Sequence, residues 1–448
     1  MDVLRRAWVF GATAIAALAI APAAQAAFGF QGLSAAPTNT NAGAHSDLNI
    51  HIGFTSASDN VKDLTISLPP GMVGNPTATP LCTLTQLQGD SCPAASQVGT
   101  TTANVTVHLV DPLPLTLPLT VNGSVYNVQP AAGRPARFGI VLRPVGSDPL
   151  PVFQKIIQVS DVRLRQSDFG LDTVLTDIPN VAHALGQALS VGTDINSIDL
   201  SLKGSVGGKD FLRNPTSCGT KTTKFTADSY ANSSQRVSGQ ASWVSTNCAA
   251  LPFAPHLSVG LGGPGATAAG KTIPMTTAIT QGNGEAGLQN AQVLLPTAVG
   301  PNILVLDNQC TRAQFRANAT ACPTASKVGT ATASSPLLPS SLNGTVVVLE
   351  PAPGEFLPGL GVDLRGPLAL QVIGSFVITP ALGNAFTNLP DIPISNFTLR
   401  FHGGNGGLIS TGVNLCKARP PVFKANFGGW NGASRSVAVK AKINGCPG

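Results

Sequence analysis

The chain contains the same sequence pattern twice. The segment CPAASQVGTTTA begins at Cys92, and the closely similar CPTASKVGTATA begins at Cys322. Further matches keep the same order along the chain: Asn122 corresponds to Asn343, and Pro130 to Pro351. The two segments begin 230 residues apart. A period of this length indicates a duplicated domain, because solenoid repeats are only about 20–50 residues long. We therefore expect two tandem units, at 27–255 and 256–448.

Within each copy the local patterns favour β-strands. Short runs such as VTVHLV and TVVVLE are rich in β-branched residues and have strand length, and Pro and Gly interrupt the chain at short intervals. The sequence predicts an all-β fold of tandem duplicated β-sandwich-type units, stapled by disulfides and with very little helix. Single helical turns are expected after Thr83 and Thr311, each followed by Gln three residues later as in a capping box. The segment 180–189 predicts one more short helix.

The Gly- and Ala-rich stretch 260–272 is interpreted as the linker between the units. It contains GATAAGKT, which matches the phosphate-binding loop pattern. That loop needs a helix after it, whereas IPMTTAIT follows here and favours a strand. We expect a chance match and no cofactor.

An even number of cysteines, eight here, is typical of a set of disulfides in secreted chains. Each copy has one close pair and one wide pair, and the wide pairs keep the same spacing although other distances between the copies drift. The sequence has no C-x2–4-C pair, which is the spacing typical of zinc sites, so no metal site is expected. The predicted bonds are Cys82–Cys92, Cys218–Cys248, Cys310–Cys322 and Cys416–Cys446.

The N-terminus has the three-part pattern of a signal peptide. Arg5 and Arg6 precede a short apolar run, and small residues allow cleavage after Ala26. No later apolar run has the length of a membrane span, so no transmembrane segment is expected in the mature chain. The predicted location is secreted, extracellular or at the cell surface.

Few residues suggest chemistry. The net charge of +6 is spread thinly and aromatic residues are scarce, which argues against nucleic-acid binding. His45 and His51 would share one face of a strand, and Asp161, Asp168 and Asp172 lie near one another, but the second copy has no counterpart of the histidines. No catalytic, metal or cofactor-binding residue is predicted. Trp430, in a Gly-rich loop, is the candidate ligand contact.

Several segments resemble a family of large secreted actinobacterial proteins with repeated, disulfide-bonded β domains and no assigned function. They are AGAHSDLNI, LPPGMVGNPTATPLCT, CPAASQVGT, VYNVQPAAGRPARFGI, SDFGL, NPTSC, CPTASKVGTATA and FTLRFHGGNGGLI. The resemblance covers most of 40–446 and implies an extracellular or cell-surface β protein, with no functional residue to carry over.

The sequence thus favours an exported, non-enzymatic structural or adhesive protein, whose partners would be cell-envelope components or other surface proteins. The alternatives are a secreted protein that binds a polysaccharide-type ligand and, third, an extracellular hydrolase. A binding role predicts a groove near Trp430, and a hydrolase predicts clustered carboxylates or histidines.

Overall fold

The computed structural model describes residues 28–55, 59–109, 115–144, 153–184 and 189–446. The expected signal peptide lies outside these residues. About 52% of the protein is strand and 7% is helix, which confirms the all-β prediction. None of the helices in the described part of the chain has the length and apolar character needed to cross a membrane.

The strands of the first unit run from residue 29 to residue 245. They are β1 Gly29–Pro37, β2 Leu48–Thr55, β3 Val61–Ser67, β4 Val73–Gly74, β5 Gln97–Leu109, β6 Leu115–Val128, β7 Ala136–Arg143, β8 Ile156–Leu164, β9 Leu171–Leu175, β10 Val181–Ala184, β11 Leu189–Leu202, β12 Ser205–Val206, β13 Lys209–Asp210, β14 Leu212–Arg213, β15 Gly219–Ser229 and β16 Val237–Ser245.

The strands of the second unit run from residue 256 to residue 443. They are β17 His256–Leu261, β18 Met275–Thr280, β19 Leu288–Leu294, β20 Val299–Pro301, β21 Lys327–Ser334, β22 Leu342–Leu349, β23 Gly359–Arg365, β24 Ala369–Val377, β25 Gly383–Phe386, β26 Asn396–Phe401, β27 Ile409–Thr411, β28 Val422–Gly429, β29 Ser434–Lys440 and β30 Lys442–Ile443. The helices are α1 Leu84–Gln88, α2 Ile303–Leu306 and α3 Arg312–Asn318.

Each unit forms one large sheet, and the two sheets have the same strand order. In the first unit the order is β1-β2-β11-β5-β6-β7-β8-β9-β3-β15-β16, with β10 added beside β11. In the second unit it is β17-β18-β26-β21-β22-β23-β24-β25-β19-β28-β29, with β30 added beside β17. Every strand of one path has its counterpart at the same place in the other. This match supports the proposed division of the chain into two repeated units.

Both sheets fold over until their ends meet. In the first unit the Ala42 N–H donates to Thr246 O at 2.8 Å, and the rings of Phe30 and Phe225 pack 6.2 Å apart across the seam. In the second unit β30 pairs in parallel with β17, through Gly260 and Lys442. Folding over buries one face of each sheet in its own interior.

The repeated CP-x-A-S-x-V-G-T motif forms the same local structure twice. Ser96 and Ser326 are buried and donate to the carbonyls of Pro93 and Pro323, at 2.6 and 2.7 Å, which closes a short 3₁₀ turn. The glycine of the motif then brings its strand close to a neighbour. A Cβ added at Gly329 would lie 2.3 Å from the carbonyl oxygen of Arg400, and Gly99 is equally crowded. Only glycine fits there, because a side chain would push the two strands apart.

Four disulfides join the chain locally, in the pairs that the repeat spacing predicts. Their Cα–Cα distances are 5.2 Å for Cys82–Cys92, 5.5 Å for Cys218–Cys248, 5.3 Å for Cys310–Cys322 and 5.5 Å for Cys416–Cys446. All four lie inside the range that a disulfide allows. The close pairs hold α1 and α3 against the sheets, and the wide pairs hold the last strands.

Three local expectations need correction. Residues 260–272 are not the linker, because β17 and β18 pair within one sheet and 262–274 is the loop between them. The units are instead joined by 246–255. The described residues of 180–189 are not helical, because β10 pairs antiparallel with the start of β11, and 185–188 lie outside the described residues. The Gln314 side chain donates to Ala321 O instead of closing a full capping box, and α3 extends beyond one turn.

Candidate functional site

The interior of the first sheet is mainly apolar. Alternate residues of each strand point inward, as a pleated sheet requires. Ile50 and Ile52 do so on β2, and Val162 and Leu164 on β8. These side chains do not fill the interior completely.

An apolar cavity lies where the two units meet, and we call it the junction cavity. Its volume is about 160 Å³. The first unit contributes side chains such as Phe138 and Leu200, and the second contributes Leu338, Leu370 and Ile392. Its walls are almost entirely apolar, so an apolar occupant would lose water contact there.

Two further apolar cavities adjoin it in series. The distal cavity, of about 90 Å³, lies at the other end of the first sheet and shares wall residues such as Ile140 and Ile198 with the junction cavity. The second-sheet cavity, of about 120 Å³, lies inside the second unit and shares Leu342 and Pro390 with it. Along β11 alone the wall extends from Thr193 to Leu202, about 30 Å at 3.3 Å per residue.

Two polar side chains in these walls have buried atoms without a hydrogen-bond partner among the described residues. The Ser160 hydroxyl lies in the wall of the junction cavity, and both side-chain amide atoms of Asn384 lie in that of the second-sheet cavity. By contrast, the Thr101 hydroxyl in the same walls donates to Asp199 O at 2.8 Å. A buried unpaired polar group costs about 1–3 kcal/mol. Ser160 and Asn384 are therefore the groups available to bind a polar atom of a ligand.

A buried polar contact holds the two units together beside the junction cavity. Asp391 accepts hydrogen bonds from the Thr216 N–H at 2.7 Å and from the Thr216 hydroxyl, which also accepts from the Gly287 N–H at 3.0 Å. Burial raises the pKa of Asp391, although the hydrogen bonds from Thr216 and the charges of Arg213 and Lys221 oppose this. Asp391 thus lies between Pro390 and Ile392, and both of these residues line the junction cavity and the second-sheet cavity.

Trp430, the candidate ligand contact, lies at this junction and is half-buried. Its indole N–H donates to Leu389 O at 2.9 Å, and its backbone N–H donates to Gly287 O. It supports the loop that carries Asp391, and it is not part of the wall of any of the three cavities. Its role as a ligand contact stays a prediction.

The two histidine candidates do not share one face of a strand as expected, because His51 lies on the outer face of β2 whereas His45 lies in the loop before it. The His45 Nδ1–H donates to Leu212 O at 2.6 Å, and its Nε2 lies 3.5 Å from Asp210 Oδ2. The His51 Nδ1 is 2.7 Å from Asp199 Oδ1. Ser34 is the cross-strand neighbour of His51, which places a serine, a histidine and an aspartate side by side. No hydrogen bond joins the Ser34 hydroxyl to His51 in the described structure. The arrangement lacks the nucleophile–base contact that hydrolysis would use.

The three aspartates are held in arginine ion pairs. Arg137 pairs with Asp161 at 2.7 Å, and Arg165 pairs with both Asp168 and Asp172. Burial alone would raise the pKa of Asp168, but hydrogen bonds from Arg165 and the Gly170 N–H outweigh it and lower this pKa. A general acid needs a raised pKa, so this group has the opposite tuning.

The described residues offer no cluster of metal ligands. No group of three or more His, Cys, Asp or Glu side chains that could hold a metal ion occurs among the described residues.

The alternation of residues along the strands indicates which side chains line the interior. The sequence could not reveal that cavities remain there, because that depends on how far each sheet closes.

No family model matches the chain, and no curated protein does so. Solved structures with a distant likeness include the following two. One is the type II cohesin dyad from the adaptor ScaA scaffoldin of Acetivibrio cellulolyticus, with 9% identity, coverage of 92% of this chain and 96% of that chain, and a TM-score of 0.14. The other is described as a membrane-anchored protein from Corynebacterium diphtheriae, with 9% identity, coverage of 91% and 89%, and a TM-score of 0.19. Scores this low carry no argument about function.

Proposed function

We propose that this protein is an exported, non-enzymatic β protein that binds an elongated apolar ligand, such as a lipid acyl chain, inside its two sheets. The observation that carries the proposal is the series of apolar cavities that meet at the junction between the units. Apolar pockets with few, well-placed polar groups are typical of small-molecule sites. Four disulfides suit an oxidising compartment outside the cytoplasm, which supports the expected export.

The ligand chemistry follows from the walls. Leucine, isoleucine, valine and phenylalanine side chains dominate them, so a polysaccharide would leave its hydroxyl groups without partners. An acyl chain has no such groups. Its single polar end could pair with Ser160 or Asn384, whose buried polar atoms have no partner among the described residues.

The experiment is a fluorescence titration of the oxidised chain with dansyl-labelled undecanoic acid. We expect a saturable rise in emission that oleic acid reverses and maltoheptaose does not, because only an apolar chain fits the cavities. Maltoheptaose represents the polysaccharide alternative. An absence of saturable emission, or displacement by the oligosaccharide, would contradict the proposal.

A structural or adhesive role at the cell surface is the second candidate. It is favoured by a different observation, the exposed apolar side chains at one end of the second unit. Such exposure on a folded protein marks an interaction surface.

A further inference from the structure

The two units pack head to tail. Gln166, in the connection between β8 and β9, donates to Ala369 O at the start of β24, at 3.0 Å. Thr77, which follows β4, donates to Pro336 O in the connection between β21 and β22, at 3.5 Å. One end of the first unit therefore contacts the opposite end of the second. This is a heterologous interface, because the two contacting surfaces are not equivalent.

Because both units have the same strand order, each contacting end has a free counterpart. In the first unit, the segments that follow β4, β6 and β8 reach the junction. Thr77 and Gln166 bond to the second unit, and Pro135 lines the junction cavity. In the second unit, the counterparts are the segments that follow β20, β22 and β24. They lie at the end of the second unit that faces away from the first.

These free segments carry the most exposed large apolar side chains among the described residues. We call them the apolar end: Ile303 is 72% exposed, Leu304 75%, Phe356 97% and Ile378 66%. Phe356 is the counterpart of Pro135, since residues 221 positions apart match around Asn122 and Asn343. The structures agree, because Asn122 accepts from Thr102 and Asn343 accepts from Thr332 in the same way. The apolar end thus corresponds to the surface of the first unit that the second unit covers.

The complementary surface has a counterpart as well. Leu338 of the second unit packs into the junction and lines two of the cavities. By the same correspondence its counterpart is Leu117, which is 38% exposed at the far end of the first unit. Val181 and Leu189, on β10 and β11, are similarly exposed. The described part of that end therefore presents apolar side chains and has no second unit in front of it.

We infer that the apolar end of one chain docks on the Leu117 end of a second copy, so that the interface between the units is repeated between chains. A heterologous contact of this kind leaves a free end on each side and builds open chains instead of closed dimers. This inference rests on the repeat geometry and not on the proposed ligand.

Sedimentation velocity over a range of concentrations tests it with two variants. Phe356→Asp blocks one end and Leu117→Asp blocks the other, and both sites are exposed, so the fold should persist. We expect the unmodified chain to form species larger than a dimer as concentration rises, and each variant alone to stay monomeric. Mixed in equal amounts, the two variants should form dimers only, because each keeps the end that the other lacks. Thr330→Asp, exposed in the middle of β21, is the control and should assemble like the unmodified chain.

Three results would overturn the inference. The first is a monomer at every concentration. The second is assembly that Phe356→Asp abolishes and Leu117→Asp leaves intact, which would indicate a symmetric dimer. The third is a monomer that binds phosphatidylglycerol vesicles through Phe356, which would make the apolar end a membrane surface.

Discussion

At the scale of single residues, the junction depends on a carboxyl group buried between the units. Asp391 is hydrogen-bonded to Thr216 of the first unit, and the charges of Arg213 and Lys221 act on it. Arg213 donates to Glu285 O at 2.6 Å. Gly71 is close as well, since a Cβ added there would come within 2.6 Å of the carboxylate. The loop from 389 to 392 is therefore fixed by charge and hydrogen bonding as well as by packing.

The first prediction concerns the pH dependence that Asp391 causes. Burial raises its pKa in the folded protein, whereas an unfolded aspartate titrates near about 3.9. A raised carboxyl pKa stabilises the folded state at low pH, and this contribution is lost as the pH rises through the folded value. The free energy of unfolding of the unmodified protein should therefore rise relative to that of Asp391→Asn as the pH is lowered. Urea unfolding from pH 8 down to about pH 4, near the unfolded value, measures the difference, and a constant difference over that whole range would contradict the assignment.

The second prediction concerns the unpaired amide of Asn384. Replacement by leucine removes two buried polar atoms that lack partners and keeps a similar shape. Asn384→Leu should raise the free energy of unfolding in the absence of ligand by about 1–3 kcal/mol. Asn343→Leu is the control, since Asn343 is exposed and accepts a hydrogen bond from Thr332. A loss of stability in Asn384→Leu would show that the amide has a partner.

At the scale of elements, the seam of each sheet depends on the segment after its last long strand. In the second unit β30 pairs with β17, and the Asn444 N–H donates to Leu261 O at 2.8 Å. The Cys416–Cys446 bond holds this segment from the other side. A short strand of this kind would otherwise fray.

The third prediction is that this bond keeps the seam closed. Replacing both Cys416 and Cys446 by alanine should cost roughly 3–4 kcal/mol, as expected for a loop of this length. Hydrogen exchange should also become faster at β17 and β30. The matching change in the first unit, Cys218→Ala with Cys248→Ala, should destabilise without altering exchange at β17. Equal exchange at β17 in both double variants would contradict a local role for the bond.

Much of this architecture follows from patterns in the sequence. The match between the copies predicts the shared strand order, and Thr83 predicts α1 correctly because its capping box is complete. The linker prediction was wrong because the composition of a loop within one sheet resembles that of a linker between domains. The glycines of 260–272 suggested a linker, but this loop is tied to the second unit, with Gly270 N–H donating to Thr411 O. The cavities were not predicted, because alternation tells which side chains point inward and not whether they fill the space.

At the scale of the whole molecule, the account joins two observations. The sheets fold over separately, and their interiors meet at the junction cavity. The end-to-end packing that creates this cavity also leaves one apolar end exposed. The same repeat geometry therefore underlies both the proposed ligand site and the proposed assembly.

The most direct test of the central claim is to fill the junction cavity from one wall. Val162 points into it and Arg163, the next residue on β8, points to solvent. Val162→Trp should occupy the space and Arg163→Trp should not, and both place the same side chain on the same strand. The measurement is the affinity of each variant for dansyl-labelled undecanoic acid. The account predicts at least a tenfold loss for Val162→Trp, equivalent to about 1.4 kcal/mol, and no change for Arg163→Trp. Equal affinity of the two variants, with both folded by circular dichroism, would contradict binding in the cavity.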